Sequence, residues 1–323
     1  MRVLITDFGF PHVDQERAIL TAIGAEVATA QCRTPADVIA AGRDADALLV
    51  QWAPIDRSVI QALEHCRVIV RYGIGVDNVD LRAAGERGIP VCNVPDYCID
   101  EVADHTLALA LALARQLPQT DATVRAGTWK ITPPRPISGF RGTIFATLGY
   151  GRIARAVLSR AAAFGFIPAA YDPFLSPDAF AESGVRPLTL DAVLATAGVI
   201  SLHLPLSADT RHLIQASTLA RMRRDAVLVN TARGGLIDTV ALAAALEQGA
   251  LGGAGLDVFE TEPLPADHPL RRAPNVLLTS HTAWYSAASV PELQRKAAEA
   301  AARALTGQPL RHVVNESFLA PPR

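Results

Sequence analysis

The sequence lacks a long apolar run, an excess of either charge and a large aromatic content. The sequence contains no run of about 18 apolar residues, which is the length needed to span a bilayer. It therefore does not predict a membrane-spanning protein. Lys and Arg total 30 against 32 Asp and Glu, for a net charge of −2. Such a balance gives no electrostatic reason to expect nucleic acid or an anionic membrane as a partner.

Cysteine is also scarce, with four residues, all in the first third of the chain: Cys32, Cys66, Cys92 and Cys98. Their spacing matches neither a CxxC pair nor a metal-ligand set, so we expect no bound metal. We therefore expect them to be free cysteines that behave as small buried hydrophobic residues in a reducing compartment. The first apolar run is too short for a signal peptide, and we therefore expect a cytoplasmic protein.

Half of the 323 residues are hydrophobic, which is enough for more than one domain. Short apolar runs alternate with helical patterns, and this alternation predicts βαβ units with parallel strands. The predicted strands are Val3–Ile5, Ala47–Val50, Val68–Val70, Val91–Asn93, Thr143–Leu148, Ala169–Tyr171, Val199–Leu202, Ala226–Asn230, Ala254–Asp257 and Val276–Thr279. The predicted helices between the first strands are Arg17–Ile23, Pro35–Ala41, Ser58–Glu64 and Asp80–Arg87. Two such series predict two doubly wound domains.

Two Ala-rich segments connect these series. Residues 106–115 alternate with the period of a strand, but they are strong helix formers, so we expect one helix over Asp100–Leu117. Apolar residues on nearly every side of it favour burial between two domains. A second helix, Val290–Leu305, leads to a tail that could return to the first domain. We therefore predict a discontinuous outer domain, residues 1–98 plus 290–323, around an inserted domain of residues 99–289.

A glycine turn follows the predicted strand Thr143–Leu148 and is the strongest single motif. Gly149 permits a sharp turn, Gly151 permits close approach of phosphates, and Ala154 stands at the third, small position. Asp172, at the end of the next strand, could accept hydrogen bonds from both ribose hydroxyls and would repel a 2′-phosphate. The pattern favours an NAD site, although an ordinary strand-to-helix turn would share its two glycines.

Polar residues follow several predicted strands, at the edge where open parallel sheets bind ligands. They are Arg71, His203, Arg233, Asp257 and His281. Reduction of a keto acid needs a cation for the carboxylate, a proton donor for the oxygen and a carboxylate beside that donor. Arginine suits the first role and histidine the second. By position alone, His203 and His281 are equal candidates.

Five motifs, spread in order over nearly the whole chain, carry a family resemblance. They are Arg71–Asp80, the glycine turn, Val229–Gly235, Asp257–Pro263 and His281–Ser286. With them the chain resembles the D-isomer-specific 2-hydroxyacid dehydrogenases, in the branch of C-terminal-binding proteins and phosphoglycerate-dehydrogenase-like enzymes. The resemblance implies an α/β protein with an NAD-binding Rossmann domain inserted into a discontinuous flavodoxin-like substrate domain.

The resemblance also implies the roles of single residues. Arg233 would bind the substrate, His281 would be the acid/base and Glu262 its partner, although Glu260 and Glu262 could be plain loop carboxylates. The implied substrate-binding residues are Arg71, Gly73, Ile74 and Trp284, and Trp284 could also be a core or dimer-contact residue. The implied cofactor-binding residues are Thr106, Gly149, Tyr150, Gly151, Arg152, Ile153, Asp172, Leu204, Pro205, Thr210, Thr231, Ala232, Asp257 and Ala283.

The sequence therefore predicts an NAD-dependent homodimeric enzyme that interconverts a small 2-keto acid and its D-2-hydroxy acid. The alternative is an NAD(H)-sensing, corepressor-like dimer with little catalysis, which the motif around Trp284 also resembles. Intact Arg233, Glu262 and His281 favour the enzyme. We expect neither a nucleic acid nor a membrane partner.

Overall fold

The chain forms two compact units in a computed structural model, which describes residues 1–133, 135–180 and 183–319. Unit 1 combines Met1–Cys98 with Tyr285–Arg323, and unit 2 is Ile99–Trp284. The second boundary thus lies between Trp284 and Tyr285, slightly before the expected position between residues 289 and 290. The Pro-rich segment Thr132–Pro136, in which the sequence also indicates a loop, includes Pro134, which is outside the described residues.

Unit 1 is built on a five-stranded parallel sheet with the order β2-β1-β3-β4-β5, the flavodoxin-like arrangement. The strands are β1 (Arg2–Ile5), β2 (Glu26–Thr29), β3 (Ala47–Val50), β4 (Val68–Arg71) and β5 (Val91–Cys92). Its helices are α1 (Asp14–Thr21), α2 (Pro35–Gly42), α3 (Arg57–Ala62), α4 (Leu81–Glu86) and α11 (Ser289–Leu305). Every residue of β3 is buried, as expected of a parallel strand covered on both faces.

The C-terminal tail completes unit 1. Val314 N–H donates to Val91 O (2.8 Å), and Val91 N–H donates to Asn315 Oδ1 (2.8 Å). Asn315 is fully buried and its amide nitrogen donates to Ile89 O (3.0 Å). The tail therefore covers the outer edge of β5, which would otherwise expose unpaired backbone groups.

Unit 2 holds a seven-stranded parallel sheet with the order β12-β11-β10-β9-β6-β7-β8. The strands are β6 (Ile144–Leu148), β7 (Ile167–Tyr171), β8 (Arg186–Pro187), β9 (Val199–Leu202), β10 (Val227–Asn230), β11 (Gly253–Leu256) and β12 (Val276–Leu278). The helices are α5 (Ile99–Ala114), α6 (Leu117–Arg125), α7 (Arg152–Ala163), α8 (Leu190–Thr196), α9 (Ala216–Leu219) and α10 (Thr239–Glu247). This is a Rossmann order, whose direction reverses between β6 and β9, the usual place for a ligand.

The long helix expected over Asp100–Leu117 ends at Ala114, and α6 begins separately at Leu117. The break lies at Gln116, whose φ of 52° is left-handed, and Pro118 in the first turn of α6 cannot donate to a preceding carbonyl. Helix α5 packs on β11, where glycines leave room for its leucines: a Cβ at Gly255 would lie 2.9 Å from Leu109 Cβ. Within the described ranges, no helix has both the length and the apolar character to cross a membrane.

Candidate active site

The glycine turn joins β6 to α7 in unit 2. Gly149 has a φ of 93°, and a Cβ there would lie 2.4 Å from the carbonyl oxygen of His203. Gly151 is the N-cap of α7, and a Cβ there would meet nothing within 4 Å. Gly149 is thus required by the fold, whereas Gly151 keeps a helix N-terminus open to an anion. The third position, Ala154, is fully buried, as a small packing residue should be.

Asp172 follows β7 directly and reaches back to the same turn. Its Oδ2 accepts from Tyr150 N–H (3.0 Å), and its Oδ1 accepts from Phe174 N–H (3.1 Å). Each carboxylate oxygen can accept a second hydrogen bond, so both remain able to bind ribose hydroxyls. The cradle at Gly151 together with this half-buried carboxylate fits an adenine dinucleotide.

The side chain of Tyr150 does not line the turn. Its ring is buried and stacks on Phe180 with centroids 4.6 Å apart, so only its backbone can face a phosphate. Arg152 and Ile153 lie in the first turn of α7, where the helix offers unpaired N–H groups.

The loop after β9 contains Leu204, Pro205 and Thr210, the residues expected beside the adenosine. Thr210 Oγ1 donates to Pro205 O (2.7 Å) and accepts from Ser207 N–H (2.8 Å). Thr210 therefore holds the loop in a compact turn, at the carboxyl edge of the sheet next to β6.

Thr106 and Thr231 meet at the carboxyl end of β10. Their hydroxyls are 2.8 Å apart, and Thr106, which is fully buried on α5, also donates to Val102 O (2.7 Å). The next residue, Ala232, is held by its N–H to Asn230 Oδ1 (3.0 Å). The structure thus gives Thr106 a helix-to-sheet contact that fixes the start of the following loop.

Asp257 is a fully buried carboxylate at the end of β11. Its oxygens accept from Thr279 Oγ1 (2.6 Å), Thr282 N–H (2.9 Å) and Ala283 N–H (2.9 Å). His105 Nε2 lies 3.0 Å from Thr279 Oγ1. Asp257 therefore organises the loop that begins at Thr279 and carries His281.

His281 and Glu262 form a hydrogen-bonded pair. His281 Nδ1 lies 2.7 Å from Glu262 Oε2, and both side chains are about one third exposed, at 34% and 35%. His281 has a left-handed φ of 56°, held by its N–H to Asp257 O (2.8 Å). With Nδ1 engaged by Glu262, Nε2 is the ring nitrogen that could transfer a proton to a ligand.

Glu262 is ionised at neutral pH. Burial alone would raise its pKa, but hydrogen bonds from His281 and Phe259 N–H, with the charges of His281 and Arg233, hold that pKa below its ordinary value. Oε1 accepts from Phe259 N–H at 2.9 Å. The charge of Arg233 contributes to this lower pKa, and the loop that carries Arg233 contacts the segment that leads to Glu262, so the three residues lie in one region of unit 2.

Arg233 follows β10 on a loop that the protein fixes tightly. Its Nη1 donates to Ala232 O (2.7 Å), and its own carbonyl accepts from the amide of fully buried Asn230 (2.8 Å). At the next residue, Gly234, a Cβ would lie 1.9 Å from the carbonyl carbon of Phe259. The loop carrying Arg233 is thus in direct backbone contact with the segment that leads to Glu262.

His203, the other histidine candidate, has the wrong ionisation for an acid. Burial lowers the pKa of its ring to about 3, and its Nε2 lies 2.9 Å from Ser201 Oγ. It is therefore neutral at physiological pH. The sequence does not show this burial, which distinguishes His203 from His281 as a candidate proton donor.

Arg71, Gly73 and Ile74 lie at the carboxyl end of β4 in unit 1. Gly73 has a φ of 134°, and a Cβ there would overlap the guanidinium of Arg71. The guanidinium of Arg71 therefore occupies the space that a side chain at position 73 would need. Ile74 O accepts from Asn93 Nδ2 (2.6 Å), which fixes the far end of the loop.

Trp284 contacts the backbone of His281. Its indole Nε1 donates to His281 O at 2.8 Å. Because this bond holds the backbone at a left-handed residue, Trp284 contributes to the pose of the imidazole in addition to any role as a pocket wall.

Two residues of this region are not among the sequence predictions. Asn230 and Glu260 both join loops through their side chains, and Glu260 contacts His212 and Thr239. Glu260 stands in the motif with Glu262, so a signal existed, but the sequence does not show which acid would bind which partner. Among the described residues, no cluster of three or more His, Cys, Asp or Glu side chains could hold a metal.

Known proteins are similar to this chain in sequence and in fold. Residues 107–283 match the family model described as D-isomer specific 2-hydroxyacid dehydrogenase, NAD binding domain. The chain is 42% identical to D-3-phosphoglycerate dehydrogenase of Mycobacterium tuberculosis over 284 residues, which are 86% of this chain and 52% of that protein. It is 38% identical to D-3-phosphoglycerate dehydrogenase of Methanocaldococcus jannaschii over 321 residues, 98% of this chain and 59% of that protein. The chain thus spans little more than half the length of these curated relatives.

A solved relative agrees with these matches. The crystal structure of D-lactate dehydrogenase from Aquifex aeolicus, complexed with NAD and lactic acid, superposes with a TM-score of 0.85 at 26% identity, covering 94% of this chain and 96% of that one. These relatives are all named as dehydrogenases, and they give no support to the corepressor-like alternative, which we set aside. With a Rossmann unit that fits an adenine dinucleotide, an Arg, Glu and His set in one region of that unit, and these matches, the chain belongs to the D-isomer-specific 2-hydroxyacid dehydrogenase family and its second unit is an NAD-binding domain.

Proposed function

We propose that the protein is an NAD-dependent dehydrogenase that interconverts a small 2-keto acid and its D-2-hydroxy acid. The observation that carries the proposal is the 2.7 Å pair of His281 and Glu262, with the charge of Arg233 acting on the same carboxylate. A cation, a proton donor and an anionic partner are thus gathered in the unit that binds NAD. The family and the names of its relatives support the same activity.

The residues of the chain supply binding and proton transfer. When bound, NADH supplies the hydride. In the direction of reduction, Nε2 of protonated His281 donates its proton to the substrate oxygen, while Glu262 stabilises the imidazolium through Nδ1. Arg233 binds the carbonyl and the carboxylate, and its fork offers two donors to such a group. In the direction of oxidation, neutral His281 accepts the hydroxyl proton at the same nitrogen.

The substrate carboxylate would be bound by the β4 loop of unit 1. The guanidinium of Arg71 occupies the space beside Gly73 that any larger residue there would fill. Backbone N–H groups at Gly73 and Ile74 would donate to the same carboxylate. In unit 2, we assign Trp284 to substrate binding as well.

The preference for NAD over NADP is assigned to Asp172. Its two oxygens lie beside the turn, where they would repel a 2′-phosphate while accepting from a ribose 2′-OH. In Asp172→Ala, the ratio of kcat/KM with NADPH to that with NADH should rise about tenfold or more, the effect of removing roughly 1.4 kcal/mol of repulsion. An unchanged ratio would remove this role from Asp172.

We also propose a cytoplasmic homodimer. Four large apolar side chains are exposed on α6 and the segment after it: Leu117 (54%), Val124 (53%), Trp129 (81%) and Ile131 (92%). Such a patch is typical of a protein interface, and a second copy is the occupant we assign. Sedimentation velocity should give a dimer, and Trp129→Asp should shift it to a monomer. Four free thiols support a reducing compartment.

The central test is a panel of 2-keto acids assayed by NADH oxidation, with glyoxylate, hydroxypyruvate and longer homologues. His281→Ala should lose about 10²–10⁴-fold in kcat, the usual worth of a general acid. Arg233→Ala should lose about 10²–10³-fold, the usual cost of one donor to a developing oxyanion. His65→Ala and Arg224→Ala, at exposed positions, are the matched controls. Turnover close to that of the parent in either variant would remove that residue from the mechanism.

A further inference from the structure

Glu260 is bound at both of its carboxylate oxygens. Oε1 accepts from His212 Nε2 (2.6 Å), while Oε2 accepts from Thr239 Oγ1 (2.6 Å) and Thr239 N–H (3.2 Å). Burial would raise the pKa of Glu260, but these bonds outweigh it and hold the pKa below its ordinary value. Glu260 is therefore an anchored anion between two loops.

These loops carry the residues assigned to catalysis. Thr239 begins α10, directly after the loop with Arg233, and Glu260 lies in the segment that ends at Glu262. Glu260 thus ties the loop of the substrate-binding arginine to the segment that carries the partner of the acid/base residue.

The other partner of Glu260, His212, comes from the loop after β9. Its backbone N–H donates to Gly235 O (2.9 Å), so its backbone is attached to the loop of Arg233 while its ring binds Glu260. The same loop is held again where Asp238 N–H donates to Ile214 O (2.8 Å). Three segments therefore meet around one carboxylate.

The direction of hydrogen bonding in this group is fixed by His268. Its Nδ1 accepts from Leu270 N–H (3.2 Å), so its other nitrogen, Nε2, carries the proton of the neutral ring. Nε2 lies 3.2 Å from Thr239 Oγ1 and donates to it, which commits the threonine hydroxyl proton to Glu260. Each hydrogen bond from His268 through Thr239 to Glu260 thus has a defined donor and acceptor.

Little slack is left between the two loops. Gly234, next to Arg233, is in backbone contact with Phe259 and Glu260. Phe259 N–H in turn binds Glu262 Oε1 at 2.9 Å. A shift of the Glu260 segment would therefore displace the backbone that carries Arg233 and the backbone that carries Glu262.

We propose that Glu260 is a positioning residue, which through Thr239 and His212 sets the spacing between Arg233 and the Glu262–His281 pair. This inference rests on the proposed function. A displacement of about 1 Å in reacting groups can cost about 10²-fold in rate, so one anchored carboxylate can have a large effect on kcat.

The experiment compares Glu260→Gln, Thr239→Val and the double variant with the parent. Each single variant should lose about tenfold or more in kcat, since it leaves a donor or acceptor of the group unmatched. The double variant should lose no more than the worse single one, because both changes break one shared unit. The pH at which kcat falls to half should stay within about 0.3 units, and the Kd for NADH, read by fluorescence, within twofold.

Two controls separate this role from simple loss of structure. Glu247→Gln changes an exposed carboxylate at the end of α10 and should leave kcat unchanged. Thr239→Ser keeps the hydroxyl and should restore activity relative to Thr239→Val, and if Glu260→Gln does not fold, this pair alone decides. If the parent is active and the folded Glu260 and Thr239 variants have a kcat within twofold of its value, this inference is overturned but the proposed function is not. A parent that binds NADH but reduces no keto acid overturns the proposed function and this inference with it.

Discussion

Glu262, like Glu260 in the same loop, keeps its charge despite burial. Water exclusion raises the pKa of its carboxyl, and the hydrogen bond and charge of His281, the N–H of Phe259 and the charge of Arg233 more than compensate. Since the folded pKa is depressed, this hydrogen-bonded pair stabilises the protein above the unfolded value of about 4.3 and is lost as the pH falls through the folded value. At neutral pH the carboxylate is therefore available to its histidine.

Glu262→Gln should make keto-acid reduction more sensitive to high pH. The imidazolium at His281 would lose its anionic neighbour, so the pH at which the rate of reduction falls to half should drop by about one unit. The measurement is the pH dependence of kcat from pH 5 to 9, with Glu247→Gln as the control. A half-rate pH equal to that of the parent would contradict the assigned role of Glu262.

At this scale the sequence predicts residue types better than their environments. Both His203 and His281 follow strands, and nothing in the local sequence shows that burial lowers the pKa of His203 to about 3. In the same way, Glu260 and Glu262 stand in one motif, yet one binds Thr239 and the other His281. Such differences depend on contacts between segments distant in sequence, which only the resemblance could anticipate.

The β6–α7 turn shows how one element separates a structural glycine from a ligand-facing one. Gly149 has a left-handed φ of 93° and no room for a Cβ, while Gly151 has a φ of −75° and open space at its Cβ position. Both residues are glycine, but their backbone conformations and surroundings give them different roles.

The pair Gly149→Ala and Gly151→Ala should therefore behave differently. Gly149→Ala should reduce the free energy of unfolding by about 1–3 kcal/mol, because it combines a strained φ with a backbone clash. Gly151→Ala should leave that free energy within about 0.5 kcal/mol of the parent value but weaken NADH binding about tenfold, since the methyl group would stand in the phosphate cradle. Urea denaturation and NADH titration measure the two effects. Equal destabilisation by both variants would refute this division.

Strands were predicted well where their residues are buried, and the two edge strands with exposed residues were missed. The buried runs at β3 and β9 stand at their predicted bounds, whereas the edge strands β2 and β8 have exposed residues and are absent from the predicted set. A periodic pattern needs one consistently buried face, and an edge strand gives a weaker one. The helix expected to Leu117 was too long because the left-handed Gln116 leaves no periodic signal.

At the scale of the molecule, unit 1 is formed by two distant parts of the chain, and a polar contact joins them in its core. The carboxylate of Glu16 on α1, fully buried, accepts from Tyr72 Oη (2.9 Å) and from Gln294 Nε2 on α11 (3.1 Å to each oxygen). Gln294 Nε2 also donates to His12 O (2.8 Å). The alternation of strands and helices predicts the two sheets, but no local pattern predicts this contact.

Tyr72→Phe should destabilise the protein more at pH 8 than at pH 5. Burial raises the pKa of Glu16 despite these bonds, so its contribution to stability is full below its unfolded pKa and declines as the pH rises through the folded value. Loss of the tyrosine donor raises that pKa further and removes a bond to a charged acceptor, worth about 1.5–3 kcal/mol at pH 8 against about 1 kcal/mol to a neutral one. Thermal unfolding followed by circular dichroism at both pH values measures the difference, with Tyr171→Phe in unit 2 as the control. An equal loss of Tm at pH 5 and pH 8 would mean that Glu16 is not the titrating group that links the two parts of unit 1.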